Sequence, residues 1–262
     1  MKTPLTYFGG KQKLAGTIVP LIPKHNLYCE PFVGGGAIFF SKEPSNIEVV
    51  NDIDGNLINF YKVLKNDFGK LRKEIQASLY SRKDHQSAKI VLGYPALFSE
   101  VKRAWATWTL LHQGYASIID GPWGYDRKNN TSVKRFHRKK IFFTKEYAER
   151  LEKVQIECRD AVEVIKSRDS KDSFFYCDPP YYNSCQKYVI NYTEDDFEKL
   201  LDTLSKIKGK FLLSSYPSEL LTKYIKKYKW HSMKVDKALC LASNPNVKKQ
   251  RKTEVFTANY KM

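Results

Sequence analysis

Cysteine is scarce in this chain, and the cysteines present are scattered. Five occur among 262 residues, and no two form a CxxC pair. This pattern is typical of reduced thiols and argues against a disulfide framework or a cysteine-rich zinc site. The five histidines are scattered too, without the spacing of metal ligands, so we predict no metal site.

Long apolar runs are also missing. No stretch approaches the roughly 20 apolar residues of a membrane-spanning helix, and the first residues, MKTPLTYFGGKQKL, lack the apolar centre of a signal peptide. We therefore expect a soluble, cytoplasmic protein with no membrane partner. Two common phosphate-binding patterns, GxGxxG and GxxxxGK[ST], are absent as well.

Acidic residues are outnumbered by basic ones. The chain carries 45 Lys and Arg against 28 Asp and Glu, a formal net charge of +17. Such a charge indicates a polyanionic partner, and it favours nucleic acid over an anionic membrane surface. Residues 62–146 contain 18 basic and 7 acidic side chains, which is +11 of the total, so we expect this segment to face the polyanion.

Short apolar runs alternate with helical patterns along the rest of the chain. The runs that indicate strands are NLYCEPF, IEVVNDI, VQIEC, SFFYC, KFLLSSY and TEVFTANY. NLINFYKVLKNDFGKL and TEDDFEKLLDTLSKI have apolar residues three and four apart, which predicts helices, and Thr193 is expected to cap the second. The alternation predicts an α/β fold with a largely parallel, doubly wound sheet.

One region interrupts this alternation. Between residues 67 and 146 we predict no strand, but a helix over PALFSEVKRAWATWTLLHQ and a polar, turn-rich loop over DGPWGYDRKNNTSVKRFHRKK. We expect Trp105, Trp108 and Trp123 to pack the core of this region rather than stack on bases.

A glycine-rich turn follows the first predicted strand. In YCEPFVGGGAIFF the turn begins at Glu30-Pro31-Phe32, and Gly34 to Gly36 lead into a predicted apolar helix. Glycines at such a turn let the backbone approach a nucleotide-like ligand at the carboxyl end of a strand, although a simple chain reversal also uses glycine.

Asp52 ends the second predicted strand, in VVNDIDGN. An acid at this place commonly accepts hydrogen bonds from ribose hydroxyls. Asp54 is the alternative ribose ligand, but it could instead cap the next helix, and we favour Asp52. Together with the glycine turn, this acid predicts an adenosine-containing ligand.

The stretch FFYCDPPYYNS places a carboxylate directly after a buried strand. Asp178 is followed by Pro179 and Pro180, which stiffen the turn, and then by Tyr181. The carboxylate and the Pro179 carbonyl can accept hydrogen bonds from an exocyclic amino group, while the tyrosine ring can stack on the base that carries it. A strand-ending turn is the structural alternative.

Four motifs, in this order, resemble the Dam-like, class α family of N6-adenine DNA methyltransferases. They are YFGGK at residues 7–11, EPFVGGG at 30–36, NDID at 51–54 and DPPY at 178–181. The resemblance implies a Rossmann-like fold and the cofactor S-adenosyl-L-methionine, with S-adenosyl-L-homocysteine as product. It also implies methylation of N6 of adenine in duplex DNA after base flipping.

The same resemblance implies roles for single residues. Those near the cofactor are Tyr7, Lys11, Glu30, Pro31, Phe32, Gly34, Gly36, Asp52, Asp160 and Asp178. Asp160 corresponds to an acid near the cofactor adenine, although it could equally cap a helix. The catalytic residues are Asp178, Pro179, Pro180 and Tyr181. Cys177 and Cys185 are not expected to be nucleophiles.

Family resemblance also suggests a domain plan, with a catalytic, cofactor-binding domain over residues 1–66 and 147–262. An inserted, basic target-recognition domain would span 67–146. The residues predicted to contact DNA are Asn129, Asn130, Lys134, Arg135, Arg138, Lys139, Lys140, Lys248, Lys249 and Arg251. Asn129, Asn130 and Arg135 are candidates for base edges and the others for phosphates.

Two other functions stay open at this point. N4-cytosine methylation uses the same amine chemistry, and a non-catalytic DNA-binding relative would keep the fold. We expect a monomer, with a cognate restriction endonuclease as a candidate partner.

Overall fold

The computed structural model describes residues 1–7, 9–183, 192–238 and 251–262. The strands in these ranges are β1 Leu27–Glu30, β2 Ile47–Asn51, β3 Gln155–Glu157, β4 Ser173–Cys177, β5 Lys210–Ser215, β6 His231–Ala238 and β7 Arg251–Ala258. The α-helices are α1 Ala15–Ile18, α2 Gly55–Asn66, α3 Phe68–Ala77, α4 Arg82–Gly93, α5 Glu100–Gln113, α6 Thr131–Ile141, α7 Glu146–Leu151, α8 Ala161–Arg168, α9 Glu194–Leu204 and α10 Glu219–Tyr228. Short 3-10 helices cover Val19–Leu21, Pro95–Leu97 and Tyr115–Ser117.

The chain divides into two compact units. The first unit comprises Met1–Pro20 and Val33–Asp160, and the second comprises Leu21–Phe32 and Ala161–Met262. This division neither confirms nor contradicts the predicted insertion at residues 67–146, which stays a prediction.

In the first unit β2 and β3 pair in parallel, with Val50 opposite Ile156. A buried ion cluster holds β2 in place: the Glu48 carboxylate accepts hydrogen bonds from Lys42 Nζ, at 2.6 Å, and from the Arg150 guanidinium. Asp54 caps α2, since its Oδ1 accepts a hydrogen bond from Asn56 N at 2.9 Å. The ion cluster therefore holds the amino end of β2, and the cap of α2 holds the chain just after its carboxyl end, where Asp52 lies.

Residues 67–146, all of which the structure describes, contain helices as their only regular elements. The central helix α5 packs against α2 and α4. Trp105 and Trp108 of α5 are buried, and the Trp108 ring lies 5.2 Å from the ring of Phe136 in α6. Trp123 packs against Tyr80, with 5.5 Å between ring centroids. The prediction that these tryptophans pack the core of this region is confirmed for Trp105 and Trp108, whereas Trp123 is half-buried.

The second unit has the strand order β1-β4-β5-β7-β6. β1, β4 and β5 are parallel, whereas β7 runs antiparallel to β5, and β6 antiparallel to β7. Every residue of β4 is buried, which explains its unbroken apolar run. Thr193 caps α9 in a capping box with Asp196, as predicted.

All six predicted strands are present, and the α/β prediction is confirmed. The apolar helix expected after Gly36 is wrong: residues 37–42 form hydrogen-bonded turns, such as Phe40 N to Gly36 O at 2.9 Å. Pro44 follows at once and disfavours helical backbone at the preceding residue, so the segment is too short for a helix.

One helix and one strand were also missed in the sequence analysis. The end of the supposed turn-rich loop is the helix α6, whose first turn is held by Asp126: its carboxylate accepts hydrogen bonds from Asn129 N and Ser132 N at 3.0 Å. The antiparallel strand β6 was not predicted, because its described side chains are mostly exposed and it lacks an apolar run.

Candidate active site

The glycine turn of the first unit lies against an aromatic ring. Gly34 and Gly36 have φ angles of +48° and +67°, a region that favours glycine. A Cβ at Gly34 would lie 3.3 Å from the Tyr7 ring, and one at Gly35 would lie 2.8 Å from Tyr7 Cβ. Positions 34 and 35 therefore leave no room for a side chain while Tyr7 packs there.

Asp52 is tied to this turn through its carboxylate. Gly34 N donates to Asp52 Oδ2 at 3.0 Å, and Asp54 N donates to Oδ1 at 3.1 Å. Burial raises the pKa of Asp52 to about 6, because the loss of hydration outweighs these backbone hydrogen bonds. A ligand hydroxyl that donated to this carboxylate would offset that cost, so the site fits a ribose.

A second carboxylate follows β3, the strand that pairs with β2. Asn51 Nδ2 donates to Arg159 O at 3.0 Å, and Arg159 N donates to Asn51 Oδ1 at 2.9 Å. This pair fixes the backbone just before Asp160, whose side chain is exposed. Its contact with the cofactor adenine stays a prediction.

Lys11 is a buried cation of the first unit. It is 3% exposed, and its Nζ donates to Gly9 O at 3.2 Å. The predicted roles of Lys11 and Tyr7 at the cofactor stay predictions.

In the second unit, Glu30 ends β1, and Pro31 and Phe32 follow it. Glu30 is 1% exposed, and its Oε1 accepts a hydrogen bond from the Tyr28 hydroxyl. Pro31 is buried, and the Phe32 ring packs edge-on against Tyr192 at 6.2 Å. The contact of these residues with the methionine part of the cofactor stays a prediction.

Asp178 lies directly after β4 and is oriented by a tyrosine. The Tyr181 hydroxyl donates to Asp178 Oδ1 at 3.2 Å and shares a hydrogen bond of 2.9 Å with Ser214 Oγ. Tyr181 is 7% exposed, and its ring lies 4.3 Å from that of Tyr216. The carboxylate is thus held by a chain of hydroxyl groups anchored on β5. Stacking of Tyr181 on a base stays a prediction.

Ser214 and Tyr216 are site residues that the sequence did not reveal. Both lie at the carboxyl end of β5, where Leu213 pairs with Cys177 of β4. The available signal was that, in both KFLLSSYPS and SFFYCDPPY, a polar residue ends an apolar run and is followed by proline and tyrosine, in either order. Serine after a strand is too common for this signal to be specific.

The cysteine beside the catalytic motif is unsuited to nucleophilic attack. Burial raises the pKa of the Cys177 thiol far above its usual value, and Asp178 and Glu30 add to the effect. A thiol that stays protonated is a poor nucleophile. Cys185 lies outside the described residues.

Most predicted DNA contacts of the first unit lie on or just before α6. Asn129, Asn130, Lys134, Arg135 and Arg138 are exposed. Exposed basic side chains on one helix can reach phosphate oxygens of a duplex.

Two other lysines of α6 have contacts within the protein. Lys139 Nζ donates to Thr3 O at 3.2 Å, and Lys140 Nζ donates to Ser78 O at 2.7 Å. Burial lowers the pKa of Lys139 to about 8. Their predicted phosphate contacts stay predictions, and each would compete with these bonds.

The remaining predicted DNA contacts lie near the end of the chain. Lys248 and Lys249 are outside the described residues. Arg251 begins β7, and the structure describes its backbone but not its side chain.

Membrane-spanning helices and metal-binding clusters are absent from the described ranges. No helix there is long and apolar enough to cross a membrane. No group of three or more His, Cys, Asp or Glu side chains in the same ranges could hold a metal ion.

Comparison with known proteins agrees with these motifs. The family described as D12 class N6 adenine-specific DNA methyltransferase matches residues 7–239. Type II methyltransferase M1.LlaDCHI of Lactococcus lactis subsp. cremoris is 28% identical, over 96% of this chain and 93% of its own. Type II methyltransferase M.MjaIII of Methanocaldococcus jannaschii is 28% identical, over 82% and 84% respectively.

More distant proteins include a DNA adenine methylase of Salmonella typhi, which is 23% identical over 94% of this chain and 91% of its own. Among solved structures, a SAM-dependent methyltransferase from Agrobacterium tumefaciens has a TM-score of 0.37 and 10% identity, and the match covers 94% of this chain and 59% of that one.

Proposed function

Because the chain belongs to the family of D12 class N6 adenine-specific DNA methyltransferases, we propose that its DPPY loop receives a flipped adenine and holds the N6 amino group for methylation. Members of this family methylate adenine in DNA with S-adenosyl-L-methionine, and this chain is such an enzyme. The observation that carries the proposal is the chain of hydroxyl groups from Ser214 through Tyr181 to Asp178.

The N6 amino group is a poor nucleophile because its lone pair is delocalised into the ring. Asp178 and the Pro179 carbonyl accept hydrogen bonds from this group, concentrate electron density on N6 and stabilise the positive charge that develops there. Tyr181 and Ser214 act as positioning residues, since they fix Asp178 Oδ1 before the base arrives. Pro180 keeps the loop stiff.

In this proposal the residues of the first unit that contact the cofactor are Tyr7, Lys11, Gly34, Gly36, Asp52 and Asp160. Asp52 accepts hydrogen bonds from the ribose hydroxyls, and the glycine turn lets the backbone come close to the methionine part. When bound, S-adenosyl-L-methionine supplies a methyl group on a positively charged sulfur, which is already electrophilic. The protein therefore needs to supply orientation and hydrogen-bond acceptors rather than an activated side-chain nucleophile.

Exposed residues at α6 form the proposed DNA contact surface. Lys134 and Arg138 contact phosphates, and these contacts increase the affinity for DNA of any sequence. Asn129, Asn130 and Arg135 contact base edges, because Asn pairs well with adenine and Arg with guanine in the major groove. The exposure of all five side chains supports this assignment.

We further propose that the enzyme acts as a monomer on duplex DNA in the cytoplasm. Two relatives are named Type II methyltransferases, which supports a cognate restriction endonuclease as partner. Other relatives are named DNA adenine methylases, which supports a role without one.

Product analysis tests the reaction and the role of the loop together. Purified protein is incubated with methyl-labelled cofactor and mixed duplexes, and the digested nucleosides are separated. We expect N6-methyldeoxyadenosine from the natural protein, and at least a 100-fold lower rate from Asp178→Ala, because one preorganised electrostatic contact contributes about 10²–10³ in rate. N4-methyldeoxycytidine would overturn the assignment of the base, and full activity of Asp178→Ala would overturn the role of the loop.

A further inference from the structure

A second concentration of positive charge lies in the second unit, far along the chain from α6. Residues 206–234 contain eight lysines and one acidic residue, Glu219, a net charge of +7. Residues 62–146 contribute +11 to the total of +17, so the rest of the chain carries a net charge of −1. Most of the net positive charge of this protein thus comes from two segments, and of these only residues 62–146 have been assigned contacts with DNA.

Six of these lysines converge on one edge of the second unit. The Tyr224 hydroxyl donates to Asp202 Oδ1 at 2.5 Å, which joins α10 to α9, and Ser205 at the end of α9 hydrogen-bonds Tyr228 at the end of α10. The Trp230 ring lies 4.9 Å from that of Phe211, at the start of β5. We call the exposed lysines at these adjoining ends the basic edge: Lys206, Lys208, Lys210, Lys226, Lys227 and Lys229.

Nearby carboxylates do not neutralise the basic edge. Asp169 accepts hydrogen bonds from the backbone N–H groups of Lys208 and Gly209, both at 2.9 Å, and Asp202 accepts one from Tyr224. Among the described residues, none of the ion pairs within 4 Å involves a lysine of the basic edge. Lys227 Nζ contacts Tyr228, 5.0 Å from its ring centroid. Because no carboxylate of the described residues pairs with these lysines, their charge is available to an external anion.

One lysine of the basic edge occupies a conformation that usually favours glycine. Lys229 ends α10 with a φ of +54°, and its N–H donates to Ile225 O. Glycine is the common residue at this position of a helix end, because a side chain there costs roughly 1 kcal/mol. The protein accepts this strain and gains a positive charge at the edge.

The basic edge and the DPPY loop lie at opposite ends of the same strands. β4 and β5 are parallel, and Lys210 pairs with Phe174 at their amino ends, whereas Leu213 pairs with Cys177, just before Asp178. These two positions are about 10 Å apart along the strand. The basic edge therefore lies at the end of these strands that is remote from the DPPY loop.

We propose that the basic edge binds the phosphate backbone of a second stretch of duplex DNA without reading its sequence. This inference rests on the proposed function, since it takes duplex DNA as the substrate. Lysines are suited to this task because they contact phosphate as point charges with little demand on geometry. The contact would keep the enzyme bound to a long DNA molecule while it releases one target sequence and binds another. In the simplest alternative, the lysines only complement the negative ends of α9 and α10.

A bridging assay tests the proposal. One duplex is fixed to beads, protein is added, and capture of a second, fluorescent duplex is measured. We expect Lys226→Ala/Lys227→Ala to capture several-fold less of the fluorescent duplex than the natural protein. The slope of the logarithm of DNA affinity against the logarithm of salt concentration should fall in magnitude by about 2, one for each lost phosphate contact. Lys226→Arg/Lys227→Arg keeps the charge and should capture normally.

The matched control is Lys199→Ala/Lys234→Ala, which removes the same charge from exposed positions of α9 and β6. Normal capture by this control supports the proposal. Unchanged capture by the Lys226/Lys227 alanine variant, or an equal loss in the control, overturns it. Lys229→Gly should melt at a higher temperature yet capture less, and normal capture by this variant also counts against the basic edge.

Methyl transfer, measured on the same preparations, separates this inference from the proposed function. A natural protein that forms no N6-methyldeoxyadenosine refutes the proposed function. Normal methylation of short duplexes by the Lys226/Lys227 alanine variant, together with lost bridging, is the result expected here. Normal methylation with unchanged bridging refutes the inference alone.

Discussion

At the scale of single residues, ionisation of Asp52 costs stability but should favour binding of the cofactor. In the proposed function its ionised carboxylate accepts hydrogen bonds from a ribose, yet burial raises its pKa from 3.8 to about 6. In the free protein ionisation therefore costs stability, and this cost sets in as the pH rises from 3.8 towards 6. A bound hydroxyl favours the ionised form, so binding of the cofactor and ionisation of Asp52 should help each other.

The expected result is a cofactor affinity that rises with pH. Below pH 6 the dissociation constant of S-adenosyl-L-homocysteine should rise by up to about tenfold for each unit that the pH falls. Above pH 7 the dissociation constant should be constant. Titration calorimetry between pH 5 and pH 8 measures this. In Asp52→Asn binding should be weaker and nearly independent of pH, and a variant that kept the pH profile of the natural protein would show that another group is responsible.

Single residues also show what could be anticipated. Asp52 and Asp178 were found because a carboxylate directly after a buried strand stands out in a sequence. Ser214 was not found, because its importance comes from its 2.9 Å contact with Tyr181, and that contact depends on the pairing of β4 with β5. Pairing between strands that are distant in sequence is not written in any local pattern.

At the scale of elements, α6 carries two kinds of lysine and arginine. Lys134, Arg135 and Arg138 are exposed, whereas the ammonium groups of Lys139 and Lys140 are bonded to backbone carbonyls. The first group should serve DNA binding. The second should mainly attach the helix to the rest of the first unit, because a phosphate contact of Lys139 or Lys140 would have to replace one of these bonds.

This contrast predicts two different phenotypes from one helix. Lys134→Ala/Arg135→Ala/Arg138→Ala should lower the salt slope of DNA binding by about 3, with little change in melting temperature. Lys140→Ala should lower the melting temperature, because it leaves the Ser78 carbonyl without its ammonium donor, and it should leave the salt slope almost unchanged. Fluorescence anisotropy over a range of salt concentrations, together with thermal melts, measures both. A reversed pattern would move the DNA contact from the exposed residues to Lys140.

Elements differ in how well their sequences predict them. The six predicted strands are apolar runs, and burial on both faces requires such runs whatever the rest of the chain does. Helix α6 was missed because Phe136 is its only buried residue. A single buried residue among charged ones does not produce the apolar spacing of three and four that indicates a helix. Strand β6 was missed because it is paired along one side only, with β7, and its exposed side chains carry no apolar signal.

At the scale of the molecule, the segment 67–146 is not independent of its surroundings in the first unit. Its helix α5 packs against α2, which precedes the segment. Two polar contacts join the same helices, since Asn59 Nδ2 donates to Glu100 O at 2.9 Å and Lys62 pairs with Glu100 at 2.7 Å. The buried face of α5 would be open to water without α2.

We therefore predict that a fragment of residues 67–146 does not fold by itself, whereas a fragment that starts at residue 54 and includes the capped helix α2 gains helical structure. Circular dichroism and amide proton dispersion in NMR spectra distinguish the two. A folded 67–146 fragment would contradict this expectation and would support an autonomous inserted domain.

The contact between Tyr7 and the glycine turn has a consequence for protein engineering. A methyl group at Gly35 would lie 2.8 Å from Tyr7 Cβ, so the two positions share one small volume. A library that varies position 35 alone would sample almost only defective proteins. A library that varies positions 7, 34 and 35 together could combine a smaller residue at position 7 with a side chain at position 34 or 35. Such variants could be screened for cofactor analogues that the natural combination excludes.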